Sequence, residues 1–236
     1  MPAADESLAT APSGHALVDE IAGKIRARIM NGDIPIGAQL RQAELASDFG
    51  VSRTPVREAL RQLQTGGLID VAPHRGAVVR VPAPWEVREA YEVRAELEAL
   101  AAARAVSRIS QADLDRLRTA NQEMYDRSLS GADAGKSSRR ENDVFHTTIT
   151  RVAANTRLAR SIEEINETFP RNVSAQLLVN DERHREENYL EHGRIIDALA
   201  RGDVDAAREE MRAHVISAGE QLARWYERRS STVFTG

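Results

Sequence analysis

The chain has 236 residues, with 32 Lys and Arg, 36 Asp and Glu, six His and no Cys. This length is enough for two domains of ordinary size, each with its own hydrophobic core. The lack of cysteine excludes disulfides and thiolate metal sites, so a metal ion would have to bind His, Asp, Glu, Asn or water. Residues 1–14 lack the apolar segment of a signal peptide, and no run of about 18 apolar residues occurs, so we expect a cytoplasmic protein.

The positive charge is concentrated near the N-terminus. Residues 15–81 contain nine Lys or Arg and seven Asp or Glu, a net charge of +2, so the rest must carry −6 for the whole chain to reach −4. An excess this small does not identify a nucleic-acid partner, and the arrangement of the charges has to decide.

The first third predicts three helices and a β-hairpin after a tail over residues 1–14. A helix from about Ala16 to Met30 has an isoleucine every fourth residue, and a second helix from about Gln42 to Phe49 ends at Gly50. A third helix, capped by Thr54 with Pro55 in its first position, extends to about Thr65. Two short strands, "LIDVA" and "AVVRV", are joined by "PHRG".

The third helix has one apolar and one basic face. Its apolar positions predict a buried stripe of Val56, Ala59, Leu60 and Leu63. On the opposite surface lie Arg53, Arg57 and Arg61. A helix that follows a short helix and a turn is typical of DNA-reading helices. Its arginine side chains can reach guanine in the major groove. Ser52 and Thr54 could bind phosphate. On charge alone, an exposed basic face without a partner is an equal alternative.

The remaining two thirds predict an all-α domain. The stretch "VPAPW" predicts a linker over residues 82–85, because prolines disfavour both helix and central strand. We expect six helices over residues 86–229, a loose loop at "SLSGADAGKSS" and a tail over residues 230–236. The predicted fold class is mainly α, with a winged helix-turn-helix followed by a helical bundle.

Three histidines share apolar helix faces in this second domain: His146, His192 and His214. Each alone is more often a hydrogen-bonded core residue than a metal ligand. Together, on separate helices and with Asn142 one turn before the first, they could converge on a divalent cation. His184, in "NDERHREEN", is expected to be solvated among charges.

The segment "LASDFGVSRTPVREALRQLQTGGLIDVAPHRGAVV" resembles the winged helix-turn-helix of GntR-family bacterial transcription regulators, in particular the FadR subfamily, over about residues 16–81. The resemblance implies that Arg53, Thr54 and Arg57 contact DNA and that the wing tip enters the minor groove. The full predicted DNA surface is Arg41, Ser52, Arg53, Thr54, Arg57, Arg61, His74, Arg75 and Gly76. Ala43 stands where some relatives have a base-reading arginine, so the operator sequence cannot be copied from them.

The stretches "YEVRAELEALAA", "NDVFH" and "EHGRIIDALARGDVDAAREEMRAH" resemble the FCD effector domain of the same subfamily, over about residues 85–229. The resemblance implies metal ligands at Asn142, His146, His192 and His214, although Asn142 stands where the family often has Asp. Asp143 is expected to point about 100° away on a helix. The ion would be Zn²⁺, with Ni²⁺ or Mn²⁺ as alternatives.

The resemblance also implies that Arg94 binds an effector carboxylate. Tyr91 is a candidate for the wall of the effector pocket. The alternative for Arg94 is a helix ion pair with Glu98. Together these features predict a ligand-responsive transcription regulator, not an enzyme, that binds a pseudo-palindromic operator as a homodimer and responds to a small carboxylic or sugar acid. The sequence leaves repression and activation open, and the resemblance implies that release of DNA by a repressor is the commoner outcome. The alternatives are a metal-responsive regulator and a metal-dependent hydrolase.

Overall fold

The computed structural model describes residues 14–72, 75–129, 134–170 and 172–233. The chain forms two compact units, one ending at Arg80 and the other beginning at Val81. Helices dominate both units, and a two-stranded sheet belongs to the first. The prediction of a mainly α protein with a winged N-terminal unit is confirmed.

The first unit contains three helices and a β-hairpin. Its elements are α1 (Gly14–Met30), α2 (Gln42–Phe49), α3 (Arg53–Thr65), β1 (Ile69–Ala72) and β2 (Gly76–Val79). Gly50 ends α2 with φ 64°, and its N–H donates to the carbonyl oxygens of Ala46 and Ser47. This left-handed conformation favours glycine because a Cβ would crowd the backbone.

Apolar stripes on the helices form the core of this unit. The three isoleucines of α1 are at most 2% exposed, as expected from their spacing. The apolar stripe of α3 is buried as predicted: Val56, Ala59, Leu60 and Leu63. Burying one face of α3 leaves its opposite face to solvent.

The hairpin pairs in an antiparallel register that aligns Ile69 with Val79. A third extended segment joins the other edge of β2. The N–H of Gly37 donates to the Val79 carbonyl at 3.0 Å, and the N–H of Leu40 donates to the Ala77 carbonyl at 2.8 Å. The wing is therefore held along both edges of β2.

The predicted cap of α3 is wrong. Ser52, not Thr54, occupies the N-cap with an extended backbone (φ −71°, ψ 166°), and α3 begins at Arg53. Thr54 lies in the first turn and Pro55 is the third helical residue. Pro55 is tolerated there because the N–H groups of the first turn have no intrahelical acceptor.

Seven helices follow among the described residues, whereas the sequence predicts six. They are α4 (Pro84–Ala105), α5 (Gln111–Ser128), α6 (Ala134–Val152), α7 (Thr156–Asn166), α8 (Asn172–Asn180), α9 (Glu182–Arg201) and α10 (Val204–Val233). Helix α4 packs most extensively against α10, and α5 packs against α6 and α9. None of the described helices is both long and apolar enough to cross a bilayer.

Three predicted irregular segments are shorter than expected. The linker ends early because α4 begins at Pro84, and proline is well suited to the first turn of a helix. The start of α4 is also capped, since the Glu86 carboxylate accepts a hydrogen bond from the Ala83 N–H at 2.8 Å. Helix α6 starts at residue 134, inside the predicted loop, and α10 extends to residue 233, inside the predicted tail. Residues 1–13, 130–133 and 234–236 lie outside the described residues.

Candidate DNA interface and metal centre

The basic face of α3 is exposed. Ser52, Arg53 and Thr54 are all solvent-accessible at its start. The side chains of Arg57 and Arg61 are 57% and 74% exposed. The predicted DNA-contacting residues of this helix therefore share one accessible surface.

The cations of this surface are only loosely paired. Glu58 lies between Arg57 and Arg61, with N···O distances of 3.5 and 3.7 Å. Arg41 makes an exposed pair with Glu44 at 2.9 Å. Exposed pairs of this kind contribute little to stability, so a DNA phosphate or base could replace the carboxylate at small cost.

The wing carries a further cation at its tip. Arg75 is exposed and donates from Nη2 to the Gly37 carbonyl at 3.4 Å, and the Gln39 side chain donates to the Arg75 carbonyl. Gly76 follows at φ 68°. His74, also predicted for the wing tip, lies outside the described residues.

In the second unit, α6, α9 and α10 bring together His146, His192 and His214. Potential ligand atoms of the three rings lie within 4.8 Å of one another. Nε2 of His214 is 3.2 Å from Nε2 of His192 and 3.4 Å from Nε2 of His146. All three rings are buried, and His192 stacks on Phe145 at 3.7 Å between ring centroids.

The opposite nitrogen of each ring faces an acceptor. Nδ1 of His214 donates to the Glu191 carboxylate at 2.8 Å, and Nδ1 of His146 contacts the Glu98 carboxylate. Nδ1 of His192 lies 3.2 Å from Oδ1 of Asn121.

The Asn121 amide is oriented by its own donor, because its Nδ2 donates to the Tyr189 carbonyl at 3.1 Å. Its Oδ1 is therefore the atom turned towards His192. Each ring thus carries its proton on Nδ1, and in its neutral form its Nε2 has a lone pair directed at the other two.

Three converging lone pairs repel one another unless a cation lies between them. Two imidazole nitrogens bound to one ion at about 2.1 Å lie roughly 3.0–3.4 Å apart. The Nε2 separations of 3.2 and 3.4 Å from His214 to the other two rings match this range. Acceptors on the outer ring nitrogens are also typical of histidine metal sites. The residues therefore fit a divalent metal ion.

The pKa values of the rings agree with neutral ligands. Burial, together with the neighbouring rings, holds the pKa of His192 well below its usual value of 6.5. Burial also lowers the pKa of His214, although Glu191 acts in the opposite direction. Both rings are therefore neutral near pH 7 and can bind a metal without first losing a proton.

A cavity of about 100 Å³ opens beside the histidine cluster. His146 and His214 form part of its wall, and the predicted effector contacts Tyr91 and Arg94 form another part. Asn142 also lines this cavity, as its prediction as a ligand requires. Asp143 lines it too, but its carboxylate does not belong to the group of converging ligand atoms, which comes from the three histidines.

Arg94 is connected to the histidine cluster through Glu98. Its Nε donates to one Glu98 oxygen at 2.6 Å, and the other oxygen contacts His146. The guanidinium also lies over the Tyr91 ring, 5.0 Å from its centroid. Arg94 therefore makes the Glu98 pair and lines the cavity at once, so the two interpretations of this residue are compatible.

Arg94 and Glu98 form an ion pair that stays charged although both side chains are buried. The side chain of Glu98 is 2% exposed and that of Arg94 is 11% exposed. Burial alone would raise the pKa of Glu98, but Arg94 and His146 outweigh it and hold that pKa well below its usual range. The carboxylate is therefore ionised at all physiological pH values.

Comparison with known proteins decides the family. Residues 17–79 match the family of bacterial regulatory proteins called gntR, and residues 89–217, more than half of the chain, match the FCD domain. The chain belongs to the GntR family and carries an FCD domain. It is therefore a DNA-binding transcriptional regulator.

Several transcriptional regulators are similar to this chain over most of their length. A probable D-xylose utilization operon transcriptional repressor from Paenarthrobacter nicotinovorans is 30% identical, over 79% of this chain and 80% of the relative. The transcriptional repressor RspR from Escherichia coli K12 is 28% identical, over 84% of this chain and 85% of the relative. The crystal structure of a putative GntR regulator from Rhodococcus sp. RHA1 shares the fold, with a TM-score of 0.66 at 24% identity over 88% of this chain and 97% of the other.

The FCD domain contains site residues that sequence analysis missed. Glu98 was considered only as a partner of Arg94, and the outer acceptors Asn121 and Glu191 were not considered. His184 was expected to be solvated, but it is half-buried and lines the cavity. Burial lowers the pKa of His184. Its spacing of eight residues from His192 on the same helix could have indicated this position.

Proposed function

We propose that this GntR-family protein is a repressor of the FadR subfamily that binds a pseudo-palindromic operator as a homodimer. It responds to a small carboxylic or sugar acid that binds at a divalent metal ion. The observation that carries the metal-dependent part is the convergence of three buried Nε2 atoms whose rings are each fixed through Nδ1. The repressor assignment is supported by two similar relatives described as repressors.

For DNA binding, α3 would enter the major groove and the wing would contact the adjacent minor groove. The exposed, loosely paired arginines of α3 support this role, with Arg53, Thr54 and Arg57 at base edges and Ser52, Arg41 and Arg61 at phosphates. Arg75 and Gly76 would form the wing contact. His74, which lies outside the described residues, is retained from the sequence prediction.

A dimer is supported by an apolar surface on α4. Trp85, Val93 and Leu100 are 60%, 55% and 36% exposed, and their helical spacing places them within one side of α4. Large apolar side chains aligned in this way are typical of protein interfaces. Two copies would double the base contacts of a single recognition helix, which alone covers too few base pairs for selectivity.

In the FCD domain, His146, His192 and His214 would hold the ion, with Asn142 as a candidate fourth ligand. Zn²⁺ suits this nitrogen-rich set, and Ni²⁺ or Mn²⁺ could replace it. The ion would supply positive charge for an acid in the cavity, and the guanidinium of Arg94 would bind the carboxylate of the acid. The acid would change DNA affinity by binding two arrangements of the protein unequally, typically by 1–3 kcal/mol.

Hydrolysis receives no support from the two carboxylates that contact the histidine rings. Glu98 and Glu191 contact the Nδ1 atoms, on the side of the rings that faces away from the converging Nε2 atoms. They orient the rings and are not positioned to activate a water at the ion. The relatives are transcriptional regulators, in agreement with a binding role.

Thermal melting of the purified protein tests the proposal. EDTA-stripped and Zn²⁺-loaded samples are melted against a panel of sugar acids, hydroxy acids and dicarboxylates. An acid at one hundred times its Kd should stabilise the loaded protein by about 2.7 kcal/mol and leave the stripped protein unchanged. If EDTA lowers the Tm and no acid raises it, the ion is structural or is itself the signal, and the acid-sensing part of the proposal is wrong.

Matched variants separate the parts of the site. His214→Gln should lose metal by elemental analysis, whereas His184→Gln, in the same cavity but outside the three-histidine cluster, should retain it. Arg94→Ala breaks the buried pair with Glu98 and should therefore lower the Tm, but it should abolish the response to acid and keep the response to metal. Arg88→Ala, on the same helix but paired at the surface with Glu220, should keep both responses.

A further inference from the structure

One buried polar side chain in the wall of the cavity has no role in the site described so far. Asn188 is 5% exposed and lines the cavity beside the histidine cluster. Within the part of the chain that the structure describes, its Oδ1 is fully buried and has no hydrogen-bond donor. An unsatisfied buried acceptor costs about 1–3 kcal/mol, and native proteins contain few of them.

The position of Asn188 on α9 explains why its side chain reaches this cavity. His184, Asn188 and His192 follow one another at intervals of four residues and therefore share one face of the helix. His192 belongs to the metal cluster and His184 lines the cavity one turn on the other side of Asn188. Asn188 thus lies on α9 between His192 of the metal cluster and the half-buried His184. Arg94 lines the same cavity from a different helix, α4.

The chemistry of the free atom restricts what can bind beside it. An amide oxygen only accepts hydrogen bonds, and a carboxylate oxygen placed against it would be repelled. A hydroxyl or an ammonium group can donate to it. A ligand that satisfies both Arg94 and Asn188 therefore carries a carboxylate and, in addition, a hydrogen-bond donor.

We propose that Asn188 is a specificity-determining residue whose Oδ1 accepts a hydrogen bond from a hydroxyl or ammonium group of the effector. The protein then selects a hydroxy or amino acid over the corresponding plain acid. This inference rests on the proposed function, because it concerns the acid that binds beside the metal. A ligand without the donor leaves the amide oxygen buried and unpaired, which weakens binding about ten- to hundredfold.

The test uses full-length Zn²⁺-loaded protein and matched acids. The Kd values are measured by calorimetry for propionate, lactate and alanine, for succinate, malate and aspartate, and for hexanoate and gluconate. We expect a hydroxy or amino acid to bind about ten- to hundredfold more tightly than the plain acid of its set. Comparison of the hydroxy and amino members identifies which donor is used.

Two variants assign that preference to Asn188. Asn188→Leu removes the acceptor at similar volume, so the ratio of Kd values within a set should fall to near one while the plain acid binds as before. Asn188→Asp keeps an acceptor oxygen, so the ratio should persist although the added charge weakens binding of every acid. Without ligand, Asn188→Leu should melt at or above the wild-type Tm, because an unpaired buried acceptor has been removed.

The other outcomes contradict the inference in different ways. Acids that bind with no preference within any set overturn the role of Asn188 and leave the proposed function intact. Loss of Zn²⁺ from Asn188→Leu would make the residue a metal ligand, and a Tm far below wild type would make it structural. If no acid binds to loaded wild-type protein, the proposed function fails and the inference fails with it.

Discussion

The two units place their functional side chains in opposite physical environments. On α3, Arg57 and Arg61 are exposed and share one loosely held carboxylate, Glu58. In the FCD domain the three histidines are buried, and each has a partner on its outer nitrogen. A DNA surface needs cations that can leave their partners, whereas a metal site needs rings that cannot turn. Mutations should therefore affect stability strongly in the FCD domain and weakly on α3.

The largest loss of stability is expected from Glu98→Gln. The carboxylate accepts from both Arg94 and His146, and an amide would present an NH₂ group to one of these two donors. Breaking a buried charge pair in this way costs about 3–5 kcal/mol of unfolding free energy. Loss of an outer partner should also weaken metal binding about ten- to hundredfold.

Glu96→Gln is the matched control for Glu98→Gln on the same helix. Glu96 makes an exposed pair with Arg212, so its loss should cost less than about 1 kcal/mol in urea unfolding. Equal losses for the two variants would show that burial of the Glu98 network adds nothing to stability.

Gly219→Ala should have the next largest effect, about 1–3 kcal/mol. A Cβ at this position would lie 2.4 Å from Cβ of Tyr91, next to the backbone of α4, so the two helices would have to separate. Gly193→Ala is the comparison, because a Cβ there meets nothing within 4 Å and alanine favours helix by roughly 1 kcal/mol. Thermal melting should show a lower Tm for the first variant and a higher Tm for the second.

Acidification should produce a moderate loss of stability in metal-free protein. The pKa of His192 and the pKa of His214 are lowered from 6.5 in the folded state, so the stability linked to both rings is fully present above pH 6.5. Below that pH the unfolded chain binds protons that the folded rings exclude, and each ring removes up to about 1.4 kcal/mol per pH unit. The Tm of EDTA-stripped protein should fall between pH 7 and pH 5, with a shallower decrease in His192→Gln.

The smallest effect on stability is expected from Arg57→Ala, below about 0.5 kcal/mol, because this side chain is 57% exposed. Its DNA affinity should nevertheless fall by about 1–3 kcal/mol on sequences selected from a random pool. Lys24→Ala, an exposed cation on α1, should lose far less affinity. If Arg57→Ala weakens selected and random DNA equally, Arg57 contacts phosphate and does not read bases.

Features that depend on residues close together in the sequence could be predicted, whereas contacts between distant residues could not. The apolar face of α3 and the three histidines were found because helical periodicity is local. Glu98 and His146, which are in contact, are 48 positions apart in the sequence, and no local sequence pattern predicts this contact.

Glu191 shows that the partner of a side chain can be unpredictable even when a candidate partner is adjacent in sequence. It is the neighbour of His192 in sequence, yet its carboxylate binds the ring of His214 on another helix. Consecutive helical residues point in different directions, so only the packing of α9 against α10 could assign this partner. Cap residues were also misplaced, because Ser52 and Thr54 are both suitable types and lie two positions apart.

The contact between Tyr91 and Gly219 also has a mechanical consequence. Helix α4 is the first helix after the winged unit, and it lies so close to α10 at this point that only a hydrogen atom fits between them. A slide of α4 by one turn, about 5.4 Å, would bring Tyr91 against Val215 or Ala223, both of which carry a Cβ. Helix α4 therefore cannot slide along α10 by one turn in either direction without a clash at Tyr91.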